Sequence, residues 1–183
     1  MKILTGSLRG QQIAFSANPH LRPTSDKVRQ AIFNTLKDVV CEARALDLFS
    51  GTGALGLEAL SMGADNVIFV EKERHQAKKI EENLIRLDLT TRAKVMVSDA
   101  LQAIDDLEAS EEKFGLVFLD PPYYKGLTEA AIKKLCASSV LDPGAIIVAE
   151  GHAKEKFPQT TGKLNLLKLK IYGDTQIAVY QNA

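Results

Sequence analysis

From residue 44 onward the chain alternates two patterns. Short, unbroken apolar runs give way to longer segments in which apolar residues return every three or four positions, and then an apolar run begins again. The first pattern predicts buried strands over 44–49, 66–71, 93–98, 114–119 and 144–149. The second predicts helices over 54–62, 74–87, 101–109 and 127–137. Strands that are apolar at every position, rather than at every second one, need cover on both faces. Joined by helices, they predict an α/β fold: a mostly parallel sheet with helices on each side. Two further apolar runs, near 164–172 and 175–180, are separated only by Gly173-Asp174, a tight-hairpin signal that adds an antiparallel strand pair.

Residues 1–43 read differently. Short β-like runs at 2–5 and 11–15 flank Gly6-Ser7-Leu8-Arg9-Gly10 and predict a β-hairpin. An irregular link over 16–23 leads to a helix that begins near Thr24 or Ser25, either of which can cap it. Val28, Ala31, Ile32, Leu36 and Val39 give that helix one apolar face. The chain thus divides into an N-terminal extension, 1–23, and a domain, 24–183. Its 183 residues and 45% hydrophobic content allow one substantial core.

Against this apolar background, polar groups at strand ends stand out. Asp120-Pro121-Pro122-Tyr123 follows the predicted strand 114–119. Each proline fixes its own φ and restricts the residue before it, so the Asp120 carboxylate and the Pro121 carbonyl share one rigid geometry beside an aromatic ring. Two acceptors and a ring suit an exocyclic amine on a flat base. The plainer reading is a Pro-Pro turn with Tyr123 as packing. The first strand of the alternating region runs into Asp47-Leu48-Phe49-Ser50-Gly51-Thr52-Gly53-Ala54-Leu55-Gly56. This is a GxGxxG between a strand and a helix, as a nucleotide-binding turn requires. Glu71 ends the next strand, 20 residues after Gly51, where a carboxylate can accept from both hydroxyls of a ribose. NAD is open on the glycines alone. Asp47, close to the glycine turn, favours S-adenosylmethionine, because it suits the ammonium of an amino-acid tail better than a pyrophosphate. Asp99, followed by Ala100 at the end of the third strand, is placed for an adenine amino group; it is equally placed to cap the helix that follows. Phe49, Ser50 and Lys72 complete the candidate cofactor set.

Net charge is zero, which excludes a uniformly basic nucleic-acid surface. Residues 1–40 are the exception, with six basic residues against two acidic ones, a net +4. Cys41 and Cys136 fit neither zinc nor redox spacing and read as core or half-buried residues in a reducing compartment. The start lacks the apolar stretch of a signal peptide, so a cytoplasmic protein, monomeric at this size, is expected. No cluster has metal-ligand spacing. His20, His75 and His152 form no catalytic grouping.

Taken together, LDLFSGTGALGLEAL at 46–60, VEKE at 70–73, SDA at 98–100 and DPPY at 120–123 resemble class I S-adenosylmethionine-dependent amino-methyltransferases. GSLRG at 6–10, RPTSDKVRQAIFN at 22–34, and YGDT at 172–175 with Tyr180 are similar to the RsmD family of 16S rRNA (guanine-N2)-methyltransferases. The resemblance spans essentially the whole chain, and RPTSDKVR is its most specific piece. It implies a Rossmann-like, seven-stranded sheet of order 3-2-1-4-5-7-6, with S-adenosylmethionine as cofactor and a guanine of small-subunit 16S rRNA as substrate. It also implies cofactor contacts from Asp47, Gly51, Gly53, Glu71 and Asp99, and base handling by Asp120, Pro121 and Tyr123. Arg9, Arg22, Lys27 and Arg29 are then candidate RNA phosphate contacts. One departure is Gln11-Gln12, where that family's hairpin usually carries more basic residues. Competing expectations are an adenine-N6 DNA methyltransferase, an NAD-dependent oxidoreductase and a non-catalytic RNA-binding module.

Overall fold

A computed structural model describes residues 1–15, 24–123 and 126–183. Helix α1 (Asp26–Thr35) precedes β1 (Arg44–Asp47), α2 (Ala54–Ser61), β2 (Asn66–Glu71), α3 (Arg74–Arg86) and β3 (Ala93–Val97). Then follow α4 (Ala100–Ala109), β4 (Phe114–Leu119), α5 (Leu127–Ala137), β5 (Leu141–His152), β6 (Thr160–Thr161), β7 (Leu164–Tyr172) and β8 (Thr175–Asn182). The strands form one sheet of order β3-β2-β1-β4-β5-β8-β7-β6. β1 to β5 pair in parallel, while β8, β7 and β6 join antiparallel.

The unbroken apolar runs arise because successive strand residues point to opposite faces and both faces are covered. Ala45, Phe69, Leu116, Phe118 and Val148 face α1, α2 and α3. Leu46, Leu48, Val117, Leu119 and Ile147 face α4 and α5. Gly56 of α2 lies so close to the Phe69 ring that a Cβ there would collide with it, which explains the last glycine of the turn as a packing residue.

The expected order holds for the long strands, with one addition. Thr160–Thr161 folds back on the start of β7, with Thr161 opposite Leu164, and forms an eighth strand at the edge. A two-residue strand leaves no periodicity to read, and the Pro158 to Gly162 stretch looks like a linker. Helix α1 is shorter than its apolar spacing suggests. The chain leaves the helix at Leu36 and turns, with Val39 N–H donating to the Leu36 carbonyl at 2.8 Å, so that Val40 enters the core before β1. Cys41 is exposed rather than buried, while Cys136 is half-buried.

Residues 1–15 form hairpin-like pairing around a single Lys2–Gln12 bridge, supported by Ile3 N–H to Gln11 carbonyl at 2.9 Å and Ile13 N–H to Met1 carbonyl at 2.9 Å. The hairpin is built into the core of the domain. Ile3 and Ile13 are buried in the cluster beneath α1 and α2. Ser7 N–H donates to the Ser61 carbonyl at 2.8 Å, and Ala14 exchanges bonds of 2.9 and 2.7 Å with the Asn83 side chain. Gly6 (φ +71°) presses against the Ser61 backbone, a contact that no Cβ would allow. Among the described residues, no helix is long and apolar enough to cross a membrane.

Candidate active site

The order β3-β2-β1-β4-β5 reverses its sense between the parallel strands β1 and β4, and ligands in open α/β sheets bind beyond the strand ends at that point. The sequence delivers the Asp47 loop and Asp120 there. A cavity of about 820 Å³ opens at this edge. Its wall includes Phe49, Ser50, Gly51, Glu71, Lys72, Asp99 and Ala100 on one side and Asp120, Pro121, Pro122 and Tyr123 on the other. Asp47 and Gly53 lie behind the wall.

Asp47 ends β1 almost wholly buried, at 1% exposure. Its Oδ2 accepts from Gly56 N–H at 3.1 Å, while its Oδ1 is buried with no hydrogen-bond partner among the described residues. Burial pushes its carboxyl up to about 7; the Gly56 N–H opposes this, and the charges of Asp120 and Glu71 add to it. A buried acid with one oxygen unsatisfied is a natural receptor for a cationic group. The loop above it is fixed by Ser50 Oγ donating to the Asp47 carbonyl at 2.8 Å and Ser50 N–H donating to the Val70 carbonyl at 3.0 Å.

Glu71 ends β2 and holds the neighbouring backbone, accepting from Gly51 N–H at 2.8 Å and Glu73 N–H at 2.8 Å. Burial raises its pKa, and those two N–H groups oppose the rise. A carboxylate offers about four acceptor directions, so Glu71 keeps acceptor capacity for a ligand beyond these bonds. Asp99 caps α4 through Leu101 N–H at 3.0 Å, and Lys72 Nζ lies 3.5 Å from it. Capping occupies one oxygen of Asp99, and this pair is largely exposed.

Asp120, half-buried at the end of β4, accepts from the Thr24 hydroxyl through Oδ2 at 2.6 Å. Burial raises its pKa to about 6, and the Thr24 hydrogen bond opposes this. Tyr123 is tethered at its far end. Its hydroxyl donates to Glu150 Oε1 at 2.9 Å and lies 3.0 Å from Thr175 Oγ1, and its ring meets His152 edge-on at 5.8 Å. The phenol is pushed above its ordinary range, first by burial and further by the Glu150 and Asp120 charges.

Three of these partners were not read from the sequence. Glu150 follows the apolar run 144–149 and lies two residues from the end of β5, so the strand-tip rule that singles out Glu71 at the end of β2 extends to it. Thr175 follows the Gly173-Asp174 turn and belongs to the YGDT motif, but nothing local points it at Tyr123. Thr24 stands 96 residues from Asp120 and reads locally only as a helix cap. The cap is Ser25, whose hydroxyl accepts from Val28 N–H at 3.3 Å, which frees Thr24 for the acid.

Among the RNA candidates, Arg9 and Lys27 are exposed, and Arg22 lies outside the described residues. Arg29 is a correction. It is completely buried, with Nη2 donating to the Lys2 carbonyl at 2.6 Å and to Asp26 Oδ1 at 3.1 Å. Its Nε lies 3.1 Å from Oε1 of the equally buried Glu58, off the hydrogen-bonding direction, so that contact is ionic. Glu58 also accepts from Leu4 N–H at 2.7 Å and from Thr5 N–H at 3.0 Å. A guanidinium committed to joining the hairpin to α1 and α2 does not present charge to a phosphate.

Fold and site together define a Rossmann-like class I methyltransferase. The family described as Conserved hypothetical protein 95 matches residues 1–181. Similar curated proteins include Ribosomal RNA small subunit methyltransferase D of Haemophilus influenzae, 34% identical over 184 residues and covering 100% of this chain and 94% of that protein. The protein of the same name from Escherichia coli K12 is 34% identical over 181 residues, 99% of this chain and 89% of its own. The solved structure of the Escherichia coli methyltransferase yhhF matches with a TM-score of 0.85 at 33% identity, covering 100% of this chain and 97% of that one. A hypothetical protein of Thermus thermophilus matches with a TM-score of 0.83 at 28% identity, covering 98% of each chain. The chain belongs to this family, the RsmD family of the sequence resemblance.

Proposed function

We propose that this protein transfers a methyl group from S-adenosylmethionine to the exocyclic N2 amine of a guanine in 16S rRNA, within the small ribosomal subunit or its assembly intermediate. The observation that carries the reading is the common cavity: the glycine turn and Glu71 form one wall and the Asp120-Pro-Pro-Tyr tetrapeptide the other. The relatives named as small-subunit rRNA methyltransferases support the substrate class.

The residues fit the cofactor. The unsatisfied Oδ1 of Asp47 suits the ammonium of its amino-acid tail, the free acceptor directions of Glu71 suit its ribose hydroxyls, and Asp99 with Ala100 suits its adenine. When bound, S-adenosylmethionine supplies an electrophilic methyl on a sulfonium and is left as the neutral thioether, while the proton that N2 gives up passes to Asp120 or to water. The rest is work for the protein. The lone pair of guanine N2 is delocalised into the ring, so the amine is a poor nucleophile. Asp120 and the Pro121 carbonyl accept its two N–H groups, return electron density to nitrogen and aim the lone pair, an effect of positioning and electrostatics. Asp120 must be ionised to do this, so transfer falls as pH drops through about 6. Tyr123 offers its ring to the base, and its tethered hydroxyl fixes the plane of that ring. A base reaching this crevice is unstacked or already in a loop. The N-terminal extension, 1–23, with Arg9 and Arg22, and Lys27 on α1 are the proposed RNA contacts, and the cytoplasm the proposed location.

The test is methyl transfer from labelled S-adenosylmethionine to undermethylated small subunits, followed by nucleoside analysis, with Asp120→Ala alongside. N2-methylguanosine made by the wild type and lost in the variant is expected. Label in adenine, or no transfer, overturns the reading.

A further inference from the structure

Asp120 sits among groups of its own charge. Its carboxylate raises the pKa of Asp47 at the end of β1, Glu71 at the end of β2 adds to the field on Asp47, and Tyr123 with Glu150 of β5 closes the far side. Against desolvation, the group that favours the ionised form of Asp120 is Thr24, whose hydroxyl donates to Oδ2 at 2.6 Å from a residue only 8% exposed. Thr24 is itself held. Ser25 caps α1, and the buried Arg29–Glu58 contact fastens α1 to α2, the helix that grows from the glycine turn. The geometry is therefore set by the fold rather than by a chance rotamer.

We infer that Thr24 is a positioning residue for Asp120: its hydroxyl occupies Oδ2, fixes the plane of the carboxylate and leaves Oδ1 for the substrate amine. This rests on the reading of Asp120 as the acceptor for that amine, and it gives the RPTSDKVR run a second task beside its basic residues. A threonine serves here because branching at Cβ restricts its χ1 and so limits where the hydroxyl can point. Valine matches its shape and lacks only the donor.

The test separates this role from the function itself. In cofactor-free protein labelled with carbon-13 at aspartate carboxyls, the Asp120 signal is assigned by its loss in Asp120→Asn and titrated in wild type, Thr24→Val and Thr24→Ser. Removing one charge-assisted hydrogen bond is expected to raise the Asp120 midpoint by about one pH unit in the valine variant, while serine keeps it close to wild type. With that shift, transfer to small subunits falls about fivefold near pH 6 and hardly at all near pH 8, with serine restoring the loss. An unchanged midpoint in Thr24→Val overturns the inference, as does an activity loss equal at all pH values. If the valine variant does not fold, Thr24→Ala is read by the same titration. Should the wild type fail to methylate subunits, the functional reading falls, and the titration still decides whether Thr24 orders Asp120.

Discussion

Asp47 and Asp120, the acids behind and beside the cavity, are both held above the ordinary carboxylate range, chiefly by burial. For such a group the unfolded chain gives up its proton at lower pH than the folded one. The folded state therefore binds more protons between the two values, and its stability falls as pH rises through that window. For Asp47 the window runs from 3.8 to about 7. Replacing Asp47 with Asn keeps an acceptor for Gly56 N–H and removes the buried charge. We expect Asp47→Asn to melt several degrees higher than wild type near pH 8, with the gain shrinking towards pH 4. Thermal melts across that range, read beside calorimetric titration with S-adenosylmethionine, check both halves: stability gained and cofactor affinity lost. A variant that melts no higher at alkaline pH would mean that the acid is better solvated than its burial implies.

At the scale of elements, the Arg29–Glu58 contact fixes where the hairpin and α1 sit. Removing one member of a buried ion pair leaves the other uncompensated, at a cost of about 3–5 kcal/mol. Arg29→Ala should therefore lower the melting temperature sharply and loosen the hairpin, measurable as faster hydrogen exchange at the Leu4 and Thr5 amides that Glu58 holds. A variant that kept its stability and lost only RNA affinity would return Arg29 to the surface role that its charge suggests. The buried role was legible in the sequence. Arg29 stands three and four residues before Ile32 and Phe33, on the buried stripe of α1, and Glu58 interrupts the otherwise apolar helix Ala54–Ser61. Position outweighed charge in both cases. The strands and most helix bounds could be read because burial on both faces leaves unbroken apolar runs, and the glycine turn and the Asp-Pro-Pro-Tyr tetrapeptide because they stand at strand ends. What the sequence hid was pairing at a distance: Thr24 to Asp120, Tyr123 to Glu150 and Thr175, and the two-residue edge strand β6.

For the whole molecule, zero net charge and an internal Arg29 leave no uniformly basic surface for a nucleic acid to find. Arg9, on the hairpin turn, and Lys27, on α1, are exposed on segments fastened to the same core that carries Asp120. If they meet phosphates, each contributes about 0.7–0.9 to the slope of log affinity against log salt. The double variant Arg9→Glu/Lys27→Glu should then bind small subunits more weakly and with a slope shallower by about two phosphate contacts, while cofactor affinity and melting temperature stay at wild type because both side chains face solvent. The salt series distinguishes this from a folding defect, which would change cofactor affinity as well. An unchanged slope would move the RNA grip away from the N-terminal segment. Without a uniformly basic surface, recognition would then rest on how the assembled subunit presents the base.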